Sequence, residues 1–363
     1  MNRELVPEWD WITICCCKAE IGPCAEEKIL MRKAAPALGL FFLAPLIAEY
    51  LLGDLPITLV GALIVLAPLY GGGALLIREI VRRSGRGWPT ILTLALAYAI
   101  LEEAFTTQTL FNPDYLHMHM GLLKPAYIAA FGMGGWWTVF VLTLHTVWSI
   151  SVSIALVESL VPDRATTPWL KNTGLAVTAV LFTLGAIAST LIEIKQDHYI
   201  STRAQFIWSG VAFVAVALLA FMWPKRGQSS HRLPANAPNP WLVGALALAA
   251  ASIFMAVPNR WAWGAVGIYA ALYLIMIGAV AIWSRYADWG AMHRLALAGG
   301  AALAYAWHAF LQHPVVGNHG LVVARVGNVI FALALIALLW IAAHKISRAQ
   351  AQTSGGLEVK TAS

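Results

Sequence analysis

An all-α, polytopic transmembrane helical bundle of about ten spans is the fold class this sequence predicts, on three observations. Apolar residues make up 60% of the chain and charged ones 12%, with mean hydropathy +0.70, which excludes an ordinary soluble domain. Apolar stretches of the length that crosses a bilayer recur at 34–52, 57–81, 88–110, 136–161, 169–193, 205–223, 241–257, 261–283, 293–311 and 321–344. Lys and Arg are distributed unevenly between alternate connections: nineteen of the 24 fall on the side of the termini, four on the other, and Arg325 within a span. This bias predicts a multi-pass protein of the cell membrane with both termini cytoplasmic. It also accounts for the net charge of +6 through attraction to an anionic inner leaflet, so the bilayer is the expected partner and nucleic acid is not.

The N-terminal segment 1–33 holds all four cysteines, Cys15, Cys16, Cys17 and Cys24. Their spacing is not that of a zinc site, and a juxtamembrane cluster is also compatible with palmitoylation. Met31-Arg32-Lys33 before the first apolar run reads as a natural start, which makes residues 1–30 a candidate upstream extension of the gene. With no cysteine elsewhere, structural disulfides are not expected.

Spans one and two share Leu43-Ala-Pro45-Leu46 and Leu66-Ala-Pro68-Leu69, and the second runs into Gly71-Gly72-Gly73. Proline inside a helix frees a carbonyl and permits a kink, for packing or for a cavity wall. Trp88-Pro89, Pro168-Trp169 and Pro240-Trp241 open spans three, five and seven as interfacial anchors. The outer connection 111–135 is long for a link and is expected as a solvated loop or a lid.

Span three carries the most informative residues, the adjacent Glu102 and Glu103, with Tyr98 and Thr106 one turn to either side of Glu102. A carboxylate inside a membrane span is costly and is by default a functional hypothesis. On span four, Thr138, His145, Ser149 and Ser153 recur at helical spacing and share a face. At about 1.5 Å per residue, Glu102 lies roughly 21 Å above Trp88 and His145 about 12 Å below Trp137, so the two fall at one depth in the outer half. The same arithmetic brings Glu49, His308 and Arg325 to that layer and Asn328 one turn deeper. The candidate catalytic residues are therefore Glu102, Glu103 and His145, with Glu49, Tyr98, Ser149, His308, Arg325 and Asn328 as binding residues. Arg325 is also the natural counter-ion that would make these acids tolerable in a bundle. Glu158, near the cytoplasmic end of span four, is expected to snorkel or to pair with Arg164, and Glu193 to be a solvated rim residue.

By domain, 34–223 forms a six-helix membrane region with the candidate site, 224–240 a cytoplasmic linker, 241–344 a four-helix membrane region, and 345–363 a disordered cytoplasmic tail. No Walker, dinucleotide-binding or H-E-x-x-H pattern is present, so no cofactor and no metal centre are expected.

Glu102-Glu103 followed by His145 on the next span resembles the CAAX-protease and bacteriocin-processing (CPBP) family of intramembrane peptidases. That family's pattern is a glutamate pair with an arginine four residues after the second, then F-x-x-x-H, then a later H-x-x-x-N or D. The resemblance implies that one glutamate activates water and that His145 helps stabilise an oxyanion. Here Thr107 occupies the arginine position and Val141 the phenylalanine position, and His308 with Gln312 is the nearest approach to the third motif. Two function classes follow, an intramembrane peptidase-like hydrolase and a proton- or cation-coupled transporter using the same acids, with a non-catalytic scaffold as a third. The substrate, small molecule or peptide, and the oligomeric state are not given by the residues.

Overall fold

The computed structural model describes residues 25–227, 233, 236–316 and 320–361. The four cysteines and most of the proposed gene-start extension lie outside the described residues. The chain separates into a unit of residues 1–35 and one of residues 36–363, and the packing below belongs to the second.

The described residues are mostly helical, as a membrane span requires of its backbone. Eight helices among the described residues are long and apolar enough to cross a membrane: α1 (Ala34–Leu51), α2 (Ile57–Arg83), α3 (Trp88–Thr106), α4 (Gly135–Leu160), α5 (Asn172–Asp197), α6 (Arg203–Ala220), α8 (Trp263–Trp283) and α10 (Leu321–Gln352). Two shorter or more polar helices complete the series, α7 (Pro240–Ala256) and α9 (Ala291–His308). The last helix continues to Thr361, past the end at residue 344 expected from hydropathy. Helical geometry does not stop where apolarity stops, and no proline interrupts this stretch.

Burial divides the helices into two groups. The apolar windows of α1–α4 are 50–61% buried, whereas those of α5, α6, α8 and α10 are 11–22% buried and turn Leu, Ile and Val outward. The second group is apolar all round, the composition of a helix facing lipid. The first group surrounds the polar site. Trp148 of α4 ties it to α9, stacking on Tyr305 with ring centroids 4.4 Å apart while its Nε1 donates to the Ala301 carbonyl at 2.8 Å.

Two glycines set the closest helix crossings. A Cβ on Gly71 would lie 1.8 Å from the Phe41 carbonyl oxygen, and one on Gly300 would lie 2.3 Å from that of Gly244. Small residues at such points let helix backbones touch, the packing that holds helices together in lipid.

The 111–135 connection differs from a solvated loop. It contains a short antiparallel hairpin, β1 (Tyr127–Ile128) with β2 (Met133–Gly134), and buries Leu122 and Ala126. Glu193 likewise departs from a solvated rim residue, since it accepts from the Tyr115 hydroxyl at 3.3 Å and its Oε2 is enclosed. Burial beside Glu193 pushes the Tyr115 hydroxyl well above its usual range.

At the opposite end of the bundle, Glu158 is buried rather than snorkelling to solvent, and α2 supplies two arginines to it. Arg82 grips it with two bonds of 2.8 and 2.6 Å and Arg78 adds a third at 3.2 Å. Arg78 also pairs with Glu79 at 2.5 Å, donates to the Arg164 carbonyl at 3.1 Å and stacks 3.4 Å over Trp169. Four buried charges thus close on one another, which is how ionic groups persist where water is excluded.

Candidate functional site

α1, α2, α3 and α4 each contain a π-helical turn: Leu46–Leu51, Ala67–Gly71, Glu102–Thr106 and Leu144–Val152. Pro45 precedes the first and Pro68 lies within the second, where a missing N–H releases the regular ladder. In α4 the widened ladder is visible in the hydroxyls, since Ser151 donates to the Thr146 carbonyl and Ser153 to that of Trp148, each five residues back. The serine stripe of span four is therefore partly spent within its own helix.

All four turns carry polar side chains of one cluster. At its centre is His145, whose Nε2 is 2.6 Å from Glu103 Oε1 and whose Nδ1 is 3.0 Å from Glu102 Oε2. The exposures of Glu102, Glu103 and His145 are 0%, 3% and 8%. Ser149, one turn on, approaches Nδ1 at 3.2 Å. The imidazole stacks on Tyr70 with centroids 5.8 Å apart and tilts against Tyr98 at 6.4 Å. Tyr70 donates to Glu49 Oε1 at 2.6 Å, which joins the first helix to the cluster.

The two central glutamates differ in their surroundings. Glu103 Oε2 accepts from the hydroxyls of Thr107 and Thr109, and Thr109 in turn accepts from Trp137 Nε1 at 3.1 Å. Both Glu102 oxygens are enclosed and, among the described residues, take no aligned hydrogen bond; the hydroxyl of Tyr98 one turn earlier is in the same state. The contact of Glu102 with Nδ1 is close but out of hydrogen-bonding alignment. Glu103 is therefore a fixed partner on both oxygens, while Glu102 faces Nδ1 with Oε2 and leaves Oε1 without a partner. Such an enclosed, unsatisfied acceptor asks for an explanation, and a functional one is available.

Glu102, Glu103 and His145 each place one ligand atom within 4.8 Å of the others, a set compatible with a small cation. As the residues stand, each imidazole nitrogen faces a carboxylate, so the ring itself occupies the space between the two acids.

Of the residues singled out in the sequence, Glu102, Glu103, His145, Glu49, Tyr98 and Ser149 meet here. Arg325, Asn328 and His308 belong elsewhere. Arg325 Nη1 donates to the carbonyls of Ala309 and Gln312 at 2.8 and 3.3 Å, and Asn328 Nδ2 to that of Ala309 at 2.7 Å. They cap the end of α9, the last turn of which contains His308. Free terminal carbonyls and the negative end of the helix dipole account for a cation at that point. The arginine is thus not the counter-ion of the glutamates; His145 is placed to be.

Tyr70 and Thr109 are two further members that reasoning from sequence did not single out. Tyr70 follows the proline of a break and precedes three glycines, a signal for an exceptional helix but not for a particular side chain. Asp54, between α1 and α2, adds an acid nearby and accepts from Gln312 Nε2. Burial, reinforced by Glu49, holds the Asp54 carboxyl well above the usual carboxylate range.

No curated protein and no solved structure matches this chain. The family match is not to the CPBP peptidases, whose likeness finds no support in it. Residues 38–353, most of the chain and all of the site, match the profile described as "Uncharacterized membrane protein family", and the chain, a multi-pass membrane protein, belongs to that family.

Proposed function

We propose that this protein is an intramembrane hydrolase of peptidase type, acting in the cell membrane, with Glu102 as general base. The observation that carries this reading is the division of labour between the two acids: Glu103 is held by two threonines and holds His145, while Glu102 has enclosed oxygens with nothing aligned on them. A base must have a free lone pair within reach of a water, and an orienting partner must not. In the reaction Glu102 removes a proton from water as the oxygen adds to a scissile carbonyl. His145, oriented by Glu103, donates toward the developing oxyanion, and the Tyr98 hydroxyl is a second donor. The proton held by Glu102 then passes to the leaving nitrogen as the carbon–nitrogen bond breaks. The CPBP likeness would imply similar roles, but what supports them here is the geometry.

A second reading, proton- or cation-coupled transport, is favoured by one specific observation, the π-helical turns in all four helices of the site. Such turns are common at functional sites, and discontinuous helices provide the hinges of transporters.

One preparation tests both. The full-length protein is reconstituted in liposomes, supplied with a library of transmembrane peptides, and read by mass spectrometry for cleavage and by an internal pH dye for proton flux. Hydrolysis predicts peptide cleavage that E102Q abolishes. Cleavage by E102Q at the wild-type rate overturns the role of Glu102, and flux lost in E102Q without any cleavage by wild type replaces hydrolysis by transport.

A further inference from the structure

We infer that the basic end of the bundle carries a binding site for a phosphate-bearing anion, formed by Arg86, Arg226 and Arg294. The balance of charges points to it. The buried acids there, Glu79 and Glu158, are already taken by Arg78 and Arg82, with Arg83 a further 3.7 Å from Glu79. Once those pairs are made, no carboxylate among the described residues lies within ion-pair distance of Arg86, Arg226 or Arg294.

Arg226 and Arg86 meet, and Arg294 lies near enough to Arg226 for their charges to repel. The Arg226 backbone N–H donates to the Gly85 carbonyl at 2.9 Å, and its side chain lies over Gly87, so it sits against the turn that carries Arg86. Arg86 Nη1 donates to the carbonyl of Trp223, and its guanidinium stands 5.6 Å from the Phe221 ring. The Arg86 Nε is enclosed and has no acceptor. Arg294, at the start of α9, stands in the field of Arg82 and Arg226 as well as that of Glu158. Guanidinium groups gathered this way repel one another, and a buried N–H without an acceptor is a further cost.

An anion with several oxygens relieves both. Guanidinium forks match phosphate oxygens in pairs, and the exposed Arg226 leaves the cluster open to a ligand. Trp88, whose ring lies 5.8 Å from the Arg82 guanidinium, and Trp223 flank the cluster, and tryptophans mark the headgroup level. A phosphatidylglycerol headgroup and free phosphate present the same chemistry; the flanking tryptophans favour the lipid.

The test uses the full chain in a neutral detergent, with binding followed by native mass spectrometry and by thermal melting. The probes are phosphatidylglycerol, phosphatidylcholine of the same acyl length, and inorganic phosphate. Phosphatidylglycerol is expected to bind at least about tenfold more tightly than phosphatidylcholine, and R226Q/R294Q to lose that preference. R226K/R294K, which keeps the charge, is expected to retain part of it and controls for folding. Inorganic phosphate that competes at low millimolar concentration assigns the site to a free anion, and phosphate that does not compete assigns it to the lipid. Equal binding of both lipids by wild type together with no phosphate binding, or an undiminished preference in R226Q/R294Q, overturns the site.

Discussion

Removing His145 isolates the energetics of the central cluster. Its two ring nitrogens face Glu103 at 2.6 Å and Glu102 at 3.0 Å, and no other cation pairs with either acid among the described residues. Two unit charges 3 Å apart attract by about 5–6 kcal/mol at an effective dielectric constant near 20, before desolvation is subtracted. Breaking a buried pair by deleting one partner typically costs about 3–5 kcal/mol, because the other charge stays behind. H145Q leaves two acids behind, so it is expected at the upper end of that range. The triple variant E102Q/E103Q/H145Q leaves none and is expected to recover most of the loss. The assay is equilibrium unfolding in mixed micelles, followed by tryptophan fluorescence and run as a thermodynamic cycle on the four combinations of histidine and acids. A loss below about 1 kcal/mol for H145Q, or a triple variant no more stable than the single, would refute the picture of an ion cluster organised by His145.

Four further outcomes are expected. E158Q leaves Arg78 and Arg82 facing each other beside Glu79 alone, and a loss of about 3–5 kcal/mol should appear as a lower melting temperature. G71A drives a Cβ to within 1.8 Å of the Phe41 carbonyl and should cost about 3 kcal/mol or more, whereas G39A, with open space around it, should leave melting unchanged. Y70F removes the 2.6 Å bond to Glu49 and should cost about 1.5–3 kcal/mol, with Y50F, whose hydroxyl bonds the Leu59 carbonyl, as a comparison outside the cluster. For Asp54 the folded value lies above the unfolded one near 4, so the folded state binds the extra proton and stability falls as pH rises from about 4 toward the folded value. D54N should flatten that part of the melting-temperature profile; identical profiles would show that Asp54 is not shifted.

How much of this was legible in the sequence depended on which physical quantity each residue reports. Hydropathy reports burial in lipid, and it located the helices, because a span must be long, apolar and helical whatever surrounds it. Depth along a helix is a linear count, and it put Glu102 and His145 at one level, where they touch. Direction around a helix was not legible. Arg325 satisfied the same count and instead caps α9, because depth does not say which way a helix faces, and the free carbonyls of Ala309 and Gln312 are the acceptors on its side. Two partners of Glu158 were hidden for a related reason: Arg82 and Arg78 come from a helix far away in sequence, and no local spacing announces them. Tyr70 belonged to a motif read as a kink, which located the distortion but not the side chain it presents.

The π-helical turns have one more consequence, which concerns counting. In α4 the wide turn Leu144–Val152 begins next to His145 and ends before Glu158, and in α2 the turn Ala67–Gly71 contains Tyr70 and precedes Arg78 and Arg82. Each helix therefore carries members of both the His145 cluster and the arginine–glutamate cluster, with a widened turn between their ends. Deleting a single residue from 146–152 would return that stretch to ordinary α-helix and swing everything after it by about 100°. The helix would survive, but Glu158 could no longer face Arg82 while His145 faced Glu103. The two clusters are thus indexed to each other by residue number along the chain, as two dials are by a shared shaft. Length in these two segments is therefore constrained alongside the side chains of Tyr70, Gly71 and His145, and one position gained or lost disturbs both clusters at once.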